Sequence, residues 1–498
     1  MKKENSLVFF PGKGIFTNPD STLQPVVEVY KKEEAIRLLR EFTRMLVNRG
    51  KPASTEARKL FNVHGAITDS KTPRKESDPF KSLCFSDNFN ISDTRVSCGN
   101  GSVDWVELRG FLEAKGYRVI KRKNSLYIKS LDRSMVHVYA VVHDNFGVVA
   151  EGKGFTDEQA MKSALSEAVE RCFSSGSDES EIVVGSQESL LGNGSNLMVA
   201  AGMRDVYDNR IYTEWVRALD VINDTGTYLP AEVAFFNYTP KKIRLKLFSL
   251  SHTTGMAAGE SAEDAVLNGI FEIIERDAYW LTMRCKINCP DIDLKKIKDI
   301  NPAVISLFNV LSSLGFEIVI KDMSLDWGVP VAHVVLKDQS GRIPCFAHGS
   351  GAGSTWVVAI ARALAEAVQM YFGMKEFANI PDNWEKVISA QGNLGSGILS
   401  WSDPLYGTHL SHLLSKSPTQ FKKDLKIKSP KSLIELVSRK GYSIFAAPVY
   451  KKCGLNIVRV YIPEATQPDE RLERISKRLL DYKNKLKLRG FYCDPILT

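Results

Sequence analysis

A turn of small residues leading into an acid-bearing helix is written three times along this chain, and few folds accommodate that. The first copy is Gly152-Lys153-Gly154-Phe155-Thr156, which runs into SALSEAVER. The second is Ala257-Ala258-Gly259-Glu260-Ser261 before NGIFEIIER, and the third is Gly351-Ala352-Gly353-Ser354-Thr355 before RALAEAVQ. Aligned on Gly154, Gly259 and Gly353, the copies share one frame without a gap. Two positions on stands a hydroxyl (Thr156, Ser261, Thr355), and six on an alanine (Ala160, Ala265, Ala359). Thirteen on stands a glutamate (Glu167, Glu272, Glu366), and sixteen on a carboxylate or amide (Glu170, Glu275, Gln369).

Each copy predicts the same local structure. Small residues let the backbone approach a ligand closely, and the Ser or Thr caps the helix that follows. Acids in the first turn of two copies (Asp157 and Glu158, Glu263 and Asp264) suit the helix dipole. The two acid positions lie three apart and share a face, while Met161, Leu165 and Cys172, or Val266, Ile270 and Ile273, form an apolar face. A single helix of this kind is ordinarily a solvated surface. Three in one frame predict carboxylates and an amide aimed at a common place, and such a cluster calls for positive charge, best supplied by Mg²⁺ carrying phosphates.

The 498 residues allow two or three domains, and 44% hydrophobic with 25% charged residues is a globular composition. No uninterrupted apolar run approaches the roughly 18 residues of a membrane span, and Pro11 and Gly12 cut short the apolar start, so a cytoplasmic protein without membrane association is expected. Eight cysteines are too few for a disulfide framework. Cys285 and Cys289 with Cys84 and Cys98 fit a zinc site poorly, because the second pair is widely spaced. The net charge of +8 suits an acidic or phosphorylated ligand. The most basic stretch, HLLSKSPTQFKKDLKIKSPK, offers only Phe421 for stacking apart from a histidine, so nucleic acid is not expected as a partner.

Residues 1–100 read as an accessory region and 101–498 as the main domain. After Pro25 comes a short strand and then an amphipathic helix carrying Ile36, Leu39, Phe42 and Leu46, followed by a linker, TDSKTPRKESDPFKS. Asp104 begins a further helix, and three strand-like runs lead into the first acidic helix. Two strands precede the second helix, which is expected to end near Trp280; a helix (VISLFNVLSSLG) and a strand come next, and the third helix follows two more strands. Residues 380–440 resist assignment, and two strands and a basic helix close the chain. Helices and strands alternate throughout, which predicts an α/β or α+β chain with mixed sheets.

The sequence contains no P-loop, no nucleophile elbow and no kinase catalytic stretches, and Asp157 stands where a dinucleotide fingerprint needs its third glycine. The three motifs, in this order and spacing, resemble the YcaO superfamily over roughly residues 105–460. The resemblance implies that ATP and Mg²⁺ bind through these helices and that ATP activates a backbone amide of a ribosomally made peptide. A nucleophile then adds at the amide carbon while the amide oxygen takes the γ-phosphoryl group. A Cys, Ser or Thr side chain gives an azoline, sulfide a thioamide and an amine an amidine. It also implies a precursor peptide as substrate and an E1-like or leader-recognition partner, and it leaves room for a homodimer.

Carried over by motif, Glu167, Glu170, Glu272, Glu275 and Glu366 are the metal-binding candidates, and Lys153, Ser163, Arg171, Arg276, Arg362 and Gln369 the nucleotide-binding ones. Glu260 and Asp264 stand where many members carry Asn and Glu, and they join the metal set. Lys13 lies in a stretch similar to an N-terminal ATP-contacting segment of some members. The tail, FYCDPILT, lacks the proline-rich end common among azoline-forming members, which keeps thioamide or amidine formation open. An accessory ATP-binding subunit and a small-molecule ligase are the remaining classes.

Overall fold

The computed structural model describes residues 101–122, 126–128, 133–176, 182–192, 210–240, 242, 252–340, 344–378, 410–417, 421–422, 424–466 and 476–488. Earlier in the chain it describes 6–8, 29–31, 83–85, 87–91 and 96–97. The expected helix around Ile36–Leu46, the linker, Lys13 and the tail after residue 490 lie outside the described residues. The short strand after Pro25 is present as Val29–Lys31, antiparallel to Ser6–Val8.

Three antiparallel sheets each supply one strand that turns directly into an acidic helix. In the first, the long strand Arg133–His143 pairs with Tyr117–Lys121, Leu126–Ile128 and Gly147–Gly154, the last leading into the helix Asp157–Cys172. The second is six-stranded: Thr225–Pro230, Tyr212–Asp220, Phe445–Lys452, Leu455–Tyr461 and Met256–Gly259 in that order, with Val183–Ser186 also on Tyr212–Asp220. Its edge strand Met256–Gly259 enters the helix Ala262–Cys285. The third is a meander of Phe316–Asp322, Val331–Asp338 and Phe346–Ala352, which enters Trp356–Ala378. The chain is thus a mixed α/β protein whose described sheets are antiparallel.

Local chemistry explains the helix starts. Thr156 and Ser261 accept from the N–H three residues on, as the capping reading requires, and Thr355 Oγ1 accepts from Val358 N at 3.4 Å. The second helix runs past Trp280 to Cys285. The reason is tertiary, because Leu281 and Cys285 are buried against Leu479 of the C-terminal helix Lys477–Lys485. Lys286, in the left-handed region at φ 46°, ends it.

The third helix is long and apolar enough over Trp356–Lys375 to cross a membrane, yet most of that stretch is buried within the molecule. Val358, Ala359, Ile360, Ala363, Leu364 and Ala367 are fully buried in the main core. A smaller core joins Leu108 and Leu112 to Leu165, Ala168 and Val169 of the first acidic helix. Each such Leu or Val contributes about 1.5–3 kcal/mol on burial, so apolar faces rather than acids hold these helices.

Candidate active site

The glycines have a packing task that the sequence reading does not name. A Cβ on Gly152 would sit 2.0 Å from Ala164 N and 2.4 Å from Ala160 O, and one on Gly351 would sit 2.3 Å from Ala359 O. Both therefore admit the unit's own helix against its strand. Ala160, Ala265 and Ala359 are all fully buried, which accounts for the repeated alanine. Tight packing of this kind fixes where the acid face of each helix points.

Those faces lock the three units to one another. Glu170 Oε1 accepts from Ala258 N at 2.7 Å, so the first helix holds the strand of the second unit. Glu275 Oε2 accepts from Ala352 N at 3.0 Å, so the second helix holds the strand of the third. Ala258 and Ala352 each precede the aligned glycine, so the junctions are equivalent. The third helix in turn packs against Gly147–Gly154 of the first unit, closing a ring, and Gln369 lies half-buried at the matching position. Within units, Glu272 Oε2 accepts from Gly255 N at 3.1 Å and Glu366 Oε2 from Ser350 N at 3.3 Å.

The ring brings Lys153, Arg276, Glu275 and Glu366 together, and the charges of Glu167, Glu170 and Glu272 act on one another beside them. Lys153 Nζ approaches Glu366 Oε2 at 3.6 Å, and Arg276 Nη2 lies 3.6 Å from Glu275 Oε1 and 3.9 Å from Glu366 Oε1. Arg171 pairs with Glu167 at 2.5 Å at a more open edge. Arg362 Nη1 donates to Ala352 O at 3.3 Å. Ser163 is exposed one turn before Glu167. Asp264 is 2% exposed in the first turn of the second helix, two turns before Glu272, and Glu260 lies on the turn before it, its carbonyl accepting from Asn456 Nδ2 at 3.3 Å.

Crowding of like charge away from water sets the electrostatics. Burial, then Glu272 and Glu167, push Glu170 well above the usual carboxylate range. Burial pushes Glu272 up to about 7, with Glu275 adding to the effect while Arg276 and Arg459 oppose it. Burial raises Glu167 as well, against the pull of Arg171 and Lys153. Glu366 differs. Burial would raise it, but Lys153 and then Arg276 outweigh that and hold it low. Among the described residues no group of three or more acids is placed to hold a metal ion as it stands; the helix-borne oxygens are hard donors, and a divalent ion drawn between them would offset their repulsion. Lys153 and Arg276 are the cations beside Glu366, and with Arg362 they have the chemistry that phosphate oxygens accept from.

Four residues at the site escape a motif reading. Asn268 Nδ2 donates to Ala258 O at 3.0 Å. Arg459, 1% exposed, donates to the carbonyls of Thr254 and His252 beside Glu272. His348 stacks on Tyr279 with ring centroids 5.7 Å apart and planes 6° from parallel, and burial pushes its pKa down to about 4. The sequence signal was strongest for Asn268, which shares the frame position of Ser163 and Arg362.

Known proteins share the sequence and the fold of this chain. The protein from Methanothermobacter thermautotrophicus (strain Delta H) is 26% identical over 370 residues, covering 71% of this chain and 91% of the relative, and it is uncharacterised. Among solved structures, a heterocyclase in complex with substrate and cofactor matches with TM-score 0.60 at 19% identity, over 82% of this chain. The match spans only 59% of that heterocyclase. YcaO from Methanopyrus kandleri bound with AMPPCP and Mg²⁺ matches with TM-score 0.52 at 20% identity, over 75% of this chain and 92% of its own. These likenesses establish the fold. The family model for YcaO cyclodehydratases, described as ATP- and Mg²⁺-binding, matches residues 151–466, more than half of the sequence, and the chain belongs to that family.

Proposed function

We propose that this protein uses ATP and Mg²⁺ to activate backbone amides of a ribosomally made peptide, and that it converts Cys, Ser or Thr residues to azolines. The observation that carries the reading is the ring of glutamates from three helices, two of which are held by the backbone of the next unit. In this reading Glu167, Glu170, Glu272, Glu275 and Glu366 hold the metal, with Glu260 and Asp264 at the start of the second helix. Lys153, Ser163, Arg171, Arg276, Arg362 and Gln369 hold the nucleotide. ATP supplies the phosphoryl group that turns the amide oxygen into a leaving group. The chain's own residues fix the phosphates, screen their charge and keep the carboxylates oriented before binding, which is where such catalysis gains most. A precursor peptide, with an E1-like or leader-recognition protein to present it, completes the reaction, and the cytoplasm is the fitting compartment.

The test is direct. Glu275→Gln and Glu366→Gln keep an oxygen for the Ala352 and Ser350 N–H groups but remove charge, so both are expected to abolish ATP turnover in a folded protein. Wild-type turnover in either removes that glutamate from the site. Intact mass and thiol labelling of the cognate peptide, with ATP and Mg²⁺, then identify the product. Loss of water with loss of a thiol or hydroxyl supports azoline formation, and a mass gain that requires sulfide replaces it by thioamide formation.

A further inference from the structure

We propose that Asn268 is a further residue of the nucleotide site, held by the backbone so that its Oδ1 accepts a hydrogen bond from an O–H group of the bound Mg-nucleotide. The inference rests on the reading that ATP lies among the three acidic helices. It begins with register. Nine positions after the aligned glycine stand Ser163, Asn268 and Arg362, one in each unit.

Two of these three make the same contact. Asn268 Nδ2 donates to the carbonyl of Ala258 at 3.0 Å, and Arg362 Nη1 donates to that of Ala352 at 3.3 Å. The N–H groups of the same two alanines are held by Glu170 and Glu275 of the preceding unit. Asn268 therefore belongs to the junction that carries Glu170. The contact also fixes its amide. A carbonyl oxygen only accepts, so the NH₂ group faces Ala258 and Oδ1 is turned away from it, as the remaining acceptor of the side chain.

The helix places that acceptor among the acids. Asp264, Asn268 and Glu272 lie one turn apart on one face of Ala262–Cys285. On either side of Asn268, Leu267 and Gly269 are buried, so this half-buried amide is the polar point of its turn. An uncharged oxygen between two carboxylates adds an acceptor without adding to the repulsion around Glu272. The chemistry at this frame position also changes around the ring, from hydroxyl to amide to guanidinium. Cations gather at the third unit, where Lys153 and Arg276 approach Glu366. Phosphates belong at that end, and the neutral acceptor of the second unit suits an O–H donor: a ribose hydroxyl, or a water held by Mg²⁺.

The full-length protein tests this by calorimetric titration with Mg-AMPPCP, alongside thermal melting without nucleotide. Asn268→Ala is expected to weaken Mg-AMPPCP binding about tenfold, the loss of one good hydrogen bond, while the ligand-free melt moves little. Should that variant not fold, Asn268→Ser, which carries the residue of the first unit, takes its place. Repeating the titration with 2′-deoxy and 3′-deoxy nucleotides separates the two sources. If the variant no longer distinguishes one of these from the parent nucleotide, the donor is that ribose hydroxyl. If it loses the same factor on all three, the donor is metal-held water. Equal Mg-AMPPCP affinity in wild type and variant overturns the proposal and leaves Asn268 as a brace for Ala258. A wild-type protein that does not bind Mg-AMPPCP overturns instead the ATP site on which the proposal rests.

Discussion

Replacing Glu272 by glutamine tests the electrostatics of the acid ring. Burial raises this carboxyl from 4.5 to about 7. A raised folded-state pKa means that the folded protein keeps a proton that the unfolded chain gives up. The stability this proton provides is complete below about pH 4.5 and is lost as the pH rises to about 7. With each pKa unit worth about 1.4 kcal/mol, the loss amounts to about 3 kcal/mol at pH 8. Glu272→Gln keeps an oxygen for Gly255 N and cannot ionise, so it escapes that loss. It also relieves Glu170, which Glu272 pushes up.

Ligand-free Glu272→Gln is therefore expected to melt a few degrees above wild type at pH 8 and together with it at pH 4.5. Adding Mg-AMPPCP at pH 8 is expected to reverse the order, because wild type gains binding free energy that the variant forgoes. Scanning calorimetry at four pH values between 4.5 and 8, with and without Mg-AMPPCP, reads both effects. Melting temperatures that stay parallel across this range would refute the account. So would a ligand-free variant less stable than wild type at pH 8, which would mean that the carboxylate is already compensated by Arg276 and Arg459.

Gly351→Ala drives a methyl toward Ala359 O and is expected to cost about 3 kcal/mol in chemical denaturation, with an unchanged midpoint counting against helix-to-strand packing as the reason for that glycine. Arg478, 3% exposed, pairs with the fully buried Asp277 at 2.7 Å, so Arg478→Met is expected to cost about 3–5 kcal/mol; a double variant with Asp277→Asn should recover part of it, and no recovery would mean the two act independently. Deleting residues 1–80 is expected to weaken binding of the cognate peptide while sparing Mg-AMPPCP, and unchanged peptide affinity would rule out the N-terminal region as a peptide- or partner-binding module.

Much of each unit could be read from the sequence because its signals are local. A capping hydroxyl, an apolar stripe and two acids three apart suffice to place the starts of Asp157–Cys172 and Ala262–Cys285 within a residue or two. What remained hidden depends on contacts distant in sequence. The last turn of the second helix exists because Leu281 and Cys285 pack on a helix some two hundred residues later, and no periodicity announces that. Arg459 sits between Val458 and Val460 in the strand Leu455–Tyr461, where the alternation of side chains says only that it is buried and not that it supports the loop before the second unit. The glycines carried a real signal with an ambiguous cause, since close approach to a ligand and close approach to a helix demand the same residue.

The ring also explains how a repeated scaffold can hold a ligand that has no threefold symmetry. Backbone contacts repeat: the strand residue before each of two glycines gives its N–H to the preceding unit and its carbonyl to its own helix. These bonds use one oxygen of Glu170 and of Glu275 and so orient the carboxylate group as a whole. The side chains between the repeats do not repeat. Where the first two units carry Glu170 followed by Arg171 and Glu275 followed by Arg276, the third carries Gln369 followed by Met370. Where the third has Arg362, the first has Ser163. Acid is thus concentrated on the first and second helices, while Glu366 of the third is the carboxylate held low by Lys153 and Arg276. A metal with its phosphates has the same lopsided distribution, positive at one place and negative over several oxygens beside it. Equal units supply rigidity, and the few positions at which they differ supply direction.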